Sequence, residues 1–354
     1  MPNKSTRRCF IGYRDGTDMI GHALAELLHD NHFEVIKGNP VGEIMTTATR
    51  HLSFALWHLN ASRFWILEKG CKVIRANTHS FVGGLECLEL KHKFALLLDS
   101  REYPFAIPSL CFEKRCPTAT DWFDGQQLIL KATQTAGRRQ MTMVRTREEV
   151  VAWTEMYPTV PAWVLQKYIS TPLLWKDRKF HLRCYWLVTG SKGILPCNRF
   201  EASLLSEGVL YFAQKRYTNT VSTANQIRDV HLTGGTEQAK VWPQDFVEQF
   251  GQEKFNHVFE QIQNASRVLA LKALPQLHVP APGKAGYKCY RVLALDVLID
   301  TKFQIHLMEV NIAPGTEFAR ESTCTKIARE IGKFALGIER SRDNGFIKLC
   351  STLG

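Results

Sequence analysis

The feature that most constrains this chain is a pair of apolar segments late in the sequence, separated by a short polar turn. The first segment, Arg291 to Ile299, and the second, Gln304 to Val310, have the length and composition of strands. The residues Asp300-Thr301-Lys302 between them are typical of a hairpin turn. The sequence therefore predicts two adjacent strands of one sheet.

Both strands carry oxygen-bearing side chains. Asp296 lies within the first strand, and Glu309 and Asn311, two positions apart on the second, point to the same face. Oxygen donors on a rigid support suit Mg²⁺, which binds one or two carboxylates together with nucleotide phosphates. A buried carboxylate needs a compensating cation, but Lys or Arg serves as well as a metal. Taken alone, the pair leaves a metal site and a structural ion pair equally open.

Composition limits the class of protein. With 354 residues, 45% of them hydrophobic and 22% charged, the chain has the balance of a soluble globular protein with two or three lobes. We find no apolar run of the roughly 18–20 residues that a membrane span needs. The ten cysteines contain no Cys-x-x-Cys and are typical of reduced thiols.

The charge of the chain favours a polyanionic partner. Lys and Arg number 45 against 34 Asp and Glu, a net charge of +11, which suits nucleic acid, an acidic membrane or an acidic polypeptide. The basic residues are dispersed, which argues against a nucleic-acid-binding arm. The tryptophans that could stack on bases lie in apolar strand contexts typical of a core, namely Trp163, Trp175 and Trp186.

Periodicity predicts an α/β chain. A strand at Arg8 to Tyr13, a helix through Ile20 to Leu28 and a strand at His32 to Lys37 form an α/β opening that extends to about Asn77. The further predicted strands are 65–67, 73–75, 128–131, 164–168, 180–189 and 209–213, the last entered through a turn at Ser206-Glu207-Gly208. The further predicted helices are 88–98, 147–157 capped by Thr146, 242–271 and 322–334.

Several motifs in combination resemble the tubulin tyrosine ligase family of the ATP-grasp superfamily. Each is weak alone, and together they span nearly the whole chain. They are Tyr13-Arg14-Asp15, Gln166-Lys167-Tyr168-Ile169, Pro172-Leu173-Leu174, Arg178-Lys179-Phe180-His181-Leu182-Arg183, His231-Leu232-Thr233, and Asp296 with Met308-Glu309-Val310-Asn311. The resemblance implies an α/β (α+β) fold, an ATP-grasp fold with an N-terminal Rossmann-like lobe. We expect that lobe at 1–77, a central ATP-grasp lobe at 78–170 and a C-terminal ATP-grasp lobe at 171–354, with the nucleotide between the last two.

The resemblance also implies roles for individual residues around ATP and Mg²⁺. Lys131 would contact the α- and β-phosphates, and Lys93, ahead of Lys91, would be the second nucleotide lysine. Lys179 and Arg183 share one strand face and would act in catalysis at the γ-phosphate and the acyl intermediate. The remaining expected contacts are the adenine hinge Gln166, Lys167, Tyr168 and Ile169, with backbone groups of Lys167 and Ile169 facing the base; His181 and Thr233 at the nucleotide; and Asp296, Glu309 and Asn311 at the metal.

Four positions depart from the family pattern. They are the loop Ala132 to Gln140, which keeps Gly137 but few other glycines; His181 where the family has an acidic residue; Gly234 where it has Asn; and Tyr211 where it generally has Arg, with Lys215 or Arg216 as substitutes. These departures support a second hypothesis, a ligase-derived scaffold that binds tubulin or ATP without turnover.

The resemblance implies a ligase that joins a free amino acid to an acidic protein tail, tubulin above all, by tyrosination, glutamylation or glycylation through an acyl phosphate. Such chemistry needs cationic clamps on the phosphates and no side-chain nucleophile. We expect ATP and Mg²⁺ as cofactors, neither a nucleic-acid nor a membrane partner, and a partner protein for microtubule docking. The expected location is the cytoplasm, on the cytoskeleton, with a cilium or flagellum included.

Overall fold

The computed structural model describes residues 8–12, 18–38, 56–59, 78–113, 122–134, 140–193, 198–218, 235–279, 286–316, 318–338 and 345–353. The strands are β1 (Arg8–Gly12), β2 (Glu34–Gly38), β3 (Leu56–Leu59), β4 (Thr78–His79), β5 (Ser109–Phe112), β6 (Leu128–Ala132), β7 (Met141–Val144), β8 (Trp163–Lys167), β9 (Leu174–Trp175), β10 (Arg178–Lys192), β11 (Asn198–Phe212), β12 (Gly235–Trp242), β13 (Lys288–Ile299), β14 (Ile305–Asn311) and β15 (Phe346–Leu353). The helices are α1 (Met19–Asp30), α2 (Glu86–Glu89), α3 (Lys91–Leu97), α4 (Arg147–Glu155), α5 (Gln244–Phe250), α6 (Gln252–Ala273) and α7 (Glu321–Leu336).

Within the described residues, one mixed sheet of 11 strands is the larger of two sheets, with the order β12-β11-β10-β13-β4-β3-β1-β2 along its main path. Strand β14 pairs with β13, β15 with β11 and β9 with β10. The parallel strands of the N-terminal region join the antiparallel strands directly, because β4 pairs in parallel with β13. The predicted α/β class is confirmed, and the predicted lobe boundaries stay predictions.

A second sheet, in the part of the chain that the structure describes, has four antiparallel strands in the order β5-β8-β6-β7. Strand β6 is buried along its whole length, so this sheet has its own core with α4 against it. Helix α4 begins after Thr146, whose hydroxyl accepts from the backbone NH of Glu149 while the Glu149 carboxylate bonds back to the cap. The predicted helix and its cap are confirmed.

The two faces of the large sheet bury different residues of β10, as the twofold alternation of a strand requires. Trp186 and Val188 lie in the core beneath α6, whereas Tyr185 and Leu187 lie beneath α1 and α7. Each such fully buried apolar side chain contributes roughly 1.5–3 kcal/mol of transfer free energy. The same alternation puts three polar residues on the face of Tyr185, at a part of the strand that α1 and α7 do not cover. They are Lys179, His181 and Arg183.

The predicted turn at Ser206-Glu207-Gly208 is wrong, because β11 runs straight through it. The pairing of β10 with β11 is irregular here, since Cys184 opposes Gly208 and Trp186 opposes Leu204. A Cβ at Gly208 would lie 2.5 Å from the Arg183 carbonyl oxygen, so the glycine serves close strand approach. The carboxylate of Glu207 accepts from the hydroxyl of Thr323 on α7 at 2.6 Å.

Two long predicted helices are interrupted. Gly251, with a φ of +89°, separates α5 from α6, and Leu90 separates α2 from α3. Trp163, Trp175 and Trp186 are buried, which confirms that these aromatics belong to the core. Within the described ranges, no helix is both long enough and apolar enough to cross a membrane. The predictions at Tyr13 to Asp15, 65–67, 73–75, Gly137 and His231 to Gly234 lie outside the described residues.

Candidate functional site

A cleft lies between the small sheet and strand β14, with α3 along one side. Its lining is mostly apolar, with a few polar groups from β5, β6, β8 and α3. The apolar lining includes Phe94, Leu98, Ile107, Val164, Leu307 and Met308, and the polar lining is Lys91, Ser109, Lys131 and Gln166. An apolar pocket with a small number of convergent polar groups is the usual form of a cofactor or substrate site.

Two buried lysines, which we call the lysine pair, lie in this region: Lys131 lines the cleft, and Lys179 is near enough to Lys131 for their charges to interact. Lys131 is 7% exposed and its Nζ donates to Oε1 of Gln166 at 2.7 Å. Lys179 is 5% exposed, and its Nζ donates to the hydroxyl of Tyr168 at 3.2 Å and lies 4.5 Å from the ring centroid. In the part of the chain that the structure describes, both ammonium groups are held by neutral groups and no carboxylate lies within 4 Å of either.

Burial makes both ammonium groups costly to keep charged. Desolvation lowers the pKa of Lys131 to about 8, although the nearby carboxylate of Glu309 partly offsets it. Desolvation, with the like charge of Lys131, lowers the pKa of Lys179 to about 7. The lysine pair therefore places two desolvated ammonium groups near each other, and an anion bound there would stabilise their charged forms.

A chain of hydrogen bonds through Gln166 and Ser109 fixes the position of the Lys131 ammonium group. Gln166 accepts from Lys131, and its own Nε2 donates to the hydroxyl of Ser109 at 2.9 Å. That hydroxyl donates to the carbonyl oxygen of Ile107 at 2.8 Å. Because each group is satisfied in turn, Gln166 serves to orient Lys131 through its side chain.

Beside the cleft lies the carboxylate cluster: Asp296, Glu309 and Asn311, with the cations Arg183 and Lys91. Arg183, Asp296 and Glu309 stand opposite one another on β10, β13 and β14. Both oxygens of Asp296 accept from Arg183 at 2.8 Å, a bidentate pair, and Asn311 Nδ2 donates to Oδ2 at 2.9 Å. Lys91 Nζ lies 3.4 Å from the Glu309 carboxylate.

The two carboxylates differ in environment. Burial alone would raise the pKa of Asp296, but the charge and hydrogen bonds of Arg183 outweigh it and hold the pKa below its usual range. The side chain of Glu309, by contrast, is 33% exposed and is therefore accessible to solvent. A bulge puts Met308 between the paired positions Leu307 and Glu309, which lets both Leu307 and Met308 face the cleft.

Two of the positions that depart from the family pattern stack on each other beside the carboxylate cluster, and one of them contacts Arg183. The rings of His181 and Tyr211 stack with centroids 5.3 Å apart and planes 8° from parallel, and the Arg183 guanidinium lies 4.9 Å from the Tyr211 centroid. Desolvation lowers the pKa of His181 to about 4 despite the nearby Asp296, so the imidazole is neutral at pH 7. Tyr211 thus offers a π face to an arginine, a contact that sequence reasoning missed.

The remaining predicted residues divide into those at the cleft and those away from it. Lys93 is exposed, whereas Lys91, the less favoured of the two in the sequence, lines the cleft and contacts Glu309. The NH of Lys167 donates to the Pro108 carbonyl at 3.0 Å, so that donor is engaged within the protein, and the predicted contact of the Lys167 backbone with a base stays a prediction. Ile169 lies just beyond β8 and is half-buried. Thr233 lies outside the described residues.

The carboxylate cluster fits magnesium by its donor chemistry. Among the described residues, no three His, Cys, Asp or Glu side chains gather to hold a metal. The predicted set instead combines two carboxylates opposed in register with the amide oxygen of Asn311, all hard oxygen donors. In the structure Arg183 and Lys91 contact these carboxylates, so a metal ion bound there would have to compete with both cations.

The two sheets with a cleft between them are consistent with an ATP-grasp fold. The chain also matches the model of the tubulin-tyrosine ligase family over residues 112–331, more than half of its length. The chain therefore belongs to the tubulin-tyrosine ligase family, a branch of the ATP-grasp superfamily.

Individual relatives are distant. The chain is 28% identical over 156 residues to a probable tubulin–tyrosine ligase of Schizosaccharomyces pombe, covering 43% of this chain and 36% of the relative. It is 23% identical over 202 residues to tubulin glycylase 3D of Tetrahymena thermophila, covering 52% and 19%. It is 23% identical over 210 residues to a tubulin polyglutamylase of Mus musculus, covering 52% and 22%. The matched part thus spans between a fifth and two-fifths of these relatives' own lengths.

Proposed function

We propose that this chain is an ATP-dependent carboxylate–amine ligase that adds an amino acid to an acidic protein tail, tubulin being the acceptor. Membership of the tubulin-tyrosine ligase family supports a tubulin-modifying ligase in general terms. The observation that carries the proposal is the lysine pair, because a bound anion would stabilise two buried ammonium groups that are held by neutral groups.

Burying the charge of the lysine pair costs free energy. One unit of pKa shift corresponds to about 1.4 kcal/mol, and Lys179 is shifted from 10.5 to about 7. A fold that keeps Lys131 and Lys179 buried on neutral partners loses stability by doing so. A bound polyphosphate removes that penalty, since it supplies the opposite charge where desolvation makes attraction strong.

The proposed chemistry proceeds in two transfers. A carboxylate oxygen of the acceptor attacks the terminal phosphorus of ATP, the bond to the bridging oxygen breaks, and ADP leaves. The amine of the incoming amino acid then attacks the acyl carbon, loses a proton, and inorganic phosphate departs. Lys131 would bind the inner phosphates, and Lys179 with Arg183 would stabilise the charge on the transferred group. Mg²⁺ held by Asp296, Glu309 and Asn311 would neutralise further phosphate charge.

The acceptor is inferred from charge and family. The net charge of +11 favours an acidic polypeptide by electrostatic steering. The relatives' names include a tyrosine ligase, a glycylase and a polyglutamylase, so each of these three amino acids is a candidate for this chain. On this proposal the protein acts at the cytoskeleton.

One observation favours a second function, that of a scaffold without turnover. Arg183 is bound by both oxygens of Asp296 and by the ring of Tyr211, where the resemblance predicts a second arginine. If Arg183 stays in these contacts, the chain binds nucleotide but does not stabilise phosphoryl transfer.

The test is incorporation of labelled tyrosine, glutamate and glycine into purified tubulin with ATP and Mg²⁺. The variant Glu309→Gln removes a proposed metal ligand, and Glu201→Gln, at a carboxylate that is exposed to a similar degree and paired with Lys348, is the matched control. The ligase predicts incorporation by the wild type and the control and none by Glu309→Gln. ATP binding without incorporation would identify the nucleotide-binding scaffold, and the absence of ATP binding would contradict both the ligase and that scaffold.

A further inference from the structure

Tyr168 contacts Lys179 in two ways. The hydroxyl accepts a hydrogen bond from Lys179 Nζ at 3.2 Å, and the ring centroid lies 4.5 Å from the same nitrogen. A phenol oxygen accepts a hydrogen bond from an ammonium and an aromatic ring attracts its charge, and neither group is itself charged. The contact therefore locates the Lys179 ammonium without neutralising it, and leaves its charge for a ligand.

A second tyrosine backs the first. The hydroxyl of Tyr217 donates to the Ser170 carbonyl at 2.8 Å, so its oxygen is left to accept from the hydroxyl of Tyr168. The hydrogen bonds thus run in one direction, from Lys179 to Tyr168, from Tyr168 to Tyr217, and from Tyr217 to the backbone. Such chains polarise one another, which strengthens the first bond to the ammonium.

The segment that carries Tyr217 is fixed to the strand that carries Lys179. The Tyr217 NH donates to the Asp177 carbonyl at 2.7 Å, and the Ala213 NH donates to the Lys179 carbonyl at 2.8 Å. Tyr168, by contrast, follows β8 of the small sheet, and its NH donates to Gln127 at 3.1 Å. The two phenols therefore join the small sheet to the large sheet at the position of one lysine.

We propose that Tyr168 is a positioning residue, whose side chain, backed by Tyr217, holds the Lys179 ammonium where the terminal phosphate of ATP binds. The inference rests on the proposed function and adds a role that backbone hinge contacts do not include. Its consequence is selective. Because Lys131 would bind the inner phosphates and Lys179 the terminal one, a misplaced Lys179 weakens ATP and leaves ADP unaffected.

The experiment measures dissociation constants for ATP and ADP by calorimetry with the full chain in Mg²⁺. Tyr168→Phe keeps the ring and deletes the hydroxyl, and Tyr217→Phe deletes the second hydroxyl from a half-buried site. Tyr157→Phe, in the separate core of the small sheet, is the matched control. We expect ATP affinity to fall on the order of tenfold in Tyr168→Phe and about threefold in Tyr217→Phe, with ADP affinity unchanged.

A second readout separates positioning from general stability. Deleting the hydroxyl removes an acceptor that favours the charged form of Lys179, so ATP affinity in Tyr168→Phe should decline at a lower pH than in the wild type. Equal losses for ATP and ADP, or no loss for either, would overturn the inference. The proposed function would still stand if the wild type bound ATP more tightly than ADP. A wild type that binds neither nucleotide would overturn both. Should Tyr168→Phe not fold, Tyr217→Phe tests the same inference by the same measurements.

Discussion

The lysine pair and the carboxylate cluster lie side by side and solve the problem of buried charge in opposite ways. Lys131 and Lys179 are held by an amide and a phenol, so their charge is located but not neutralised. Asp296 is neutralised within the protein by a bidentate arginine. The lysine pair lowers the stability of the ligand-free fold, and a bound anion would remove that loss. The charge of Asp296 is already compensated without a ligand.

The difference indicates where ligand binding acts. An anion at the lysine pair gains interactions that the folded protein lacks, and so supplies binding free energy directly. At the carboxylate cluster a metal must compete with Arg183 and Lys91 for oxygens they already hold. We expect the phosphates to draw these cations away, so that nucleotide and metal bind together more tightly than either alone.

The largest effect should follow from breaking the carboxylate cluster. Asp296→Asn leaves the buried guanidinium of Arg183 without its charge partner, and loss of one member of a buried pair costs about 3–5 kcal/mol. Urea denaturation at pH 7 measures the loss. Glu201→Gln, at a partly exposed pair, should change stability by less than about 1 kcal/mol. Equal stabilities of Asp296→Asn and wild type would show that Arg183 finds another partner.

The lysine pair should respond with the opposite sign. Lys179→Met removes a buried charge, so we expect the ligand-free protein to gain roughly 2–4 kcal/mol at pH 6 while ATP affinity is lost. The pKa is about 7 in the fold against an ordinary 10.5, so the unfolded chain binds more protons between these values. Wild-type stability therefore rises with pH across that window, and the advantage of the variant shrinks.

Urea denaturation of wild type and Lys179→Met at pH 6 and pH 9 checks both the sign and the trend. Lys176→Met, an exposed lysine in the turn before the same strand, is the control and should show no pH-dependent difference. A variant less stable than wild type at pH 6 would mean that the ammonium is already compensated.

The smallest effect belongs to Lys91, where the two regions meet. Its pair with Glu309 is partly exposed and 3.4 Å long, so solvent screens it and Lys91→Gln should alter stability by less than about 1 kcal/mol. Its effect on ATP affinity should be larger than that of Lys93→Gln, because Lys91 lines the cleft and Lys93 is exposed. Parallel ATP titrations decide this, and a greater loss in Lys93→Gln would reverse the assignment.

Much of this arrangement is local and was open to prediction. Alternation along β10 places Lys179 and Arg183 on one face, and the hairpin of β13 and β14 brings Asp296 beside Glu309 and Asn311. The strand–helix–strand opening followed from periodicity in the same way. These features depend on spacing within one or two elements, which the sequence displays directly.

The features that the sequence did not predict depend on the rotational phase of a helix, on strand irregularity and on contacts between residues distant in sequence. Whether Lys91 or Lys93 faces the cleft depends on where α3 begins, because two residues turn a helix by about 200°. The false turn at Glu207 arose because a bulged strand with a tightly packed Gly208 has the composition of a turn. The contact of Tyr211 with Arg183 joins neighbouring strands whose register no local pattern fixes.

The most direct test of the central claim, that the lysine pair is a phosphate site, is the number of protons taken up when ATP binds. Calorimetric titrations at pH about 7.5 in two buffers of different ionisation enthalpy give this number. We predict uptake of about one proton or slightly less, since Lys179 and part of Lys131 gain protons beside the phosphates, and smaller uptake in Lys179→Met. ATP binding without proton uptake, or the same uptake in that variant, would contradict the claim.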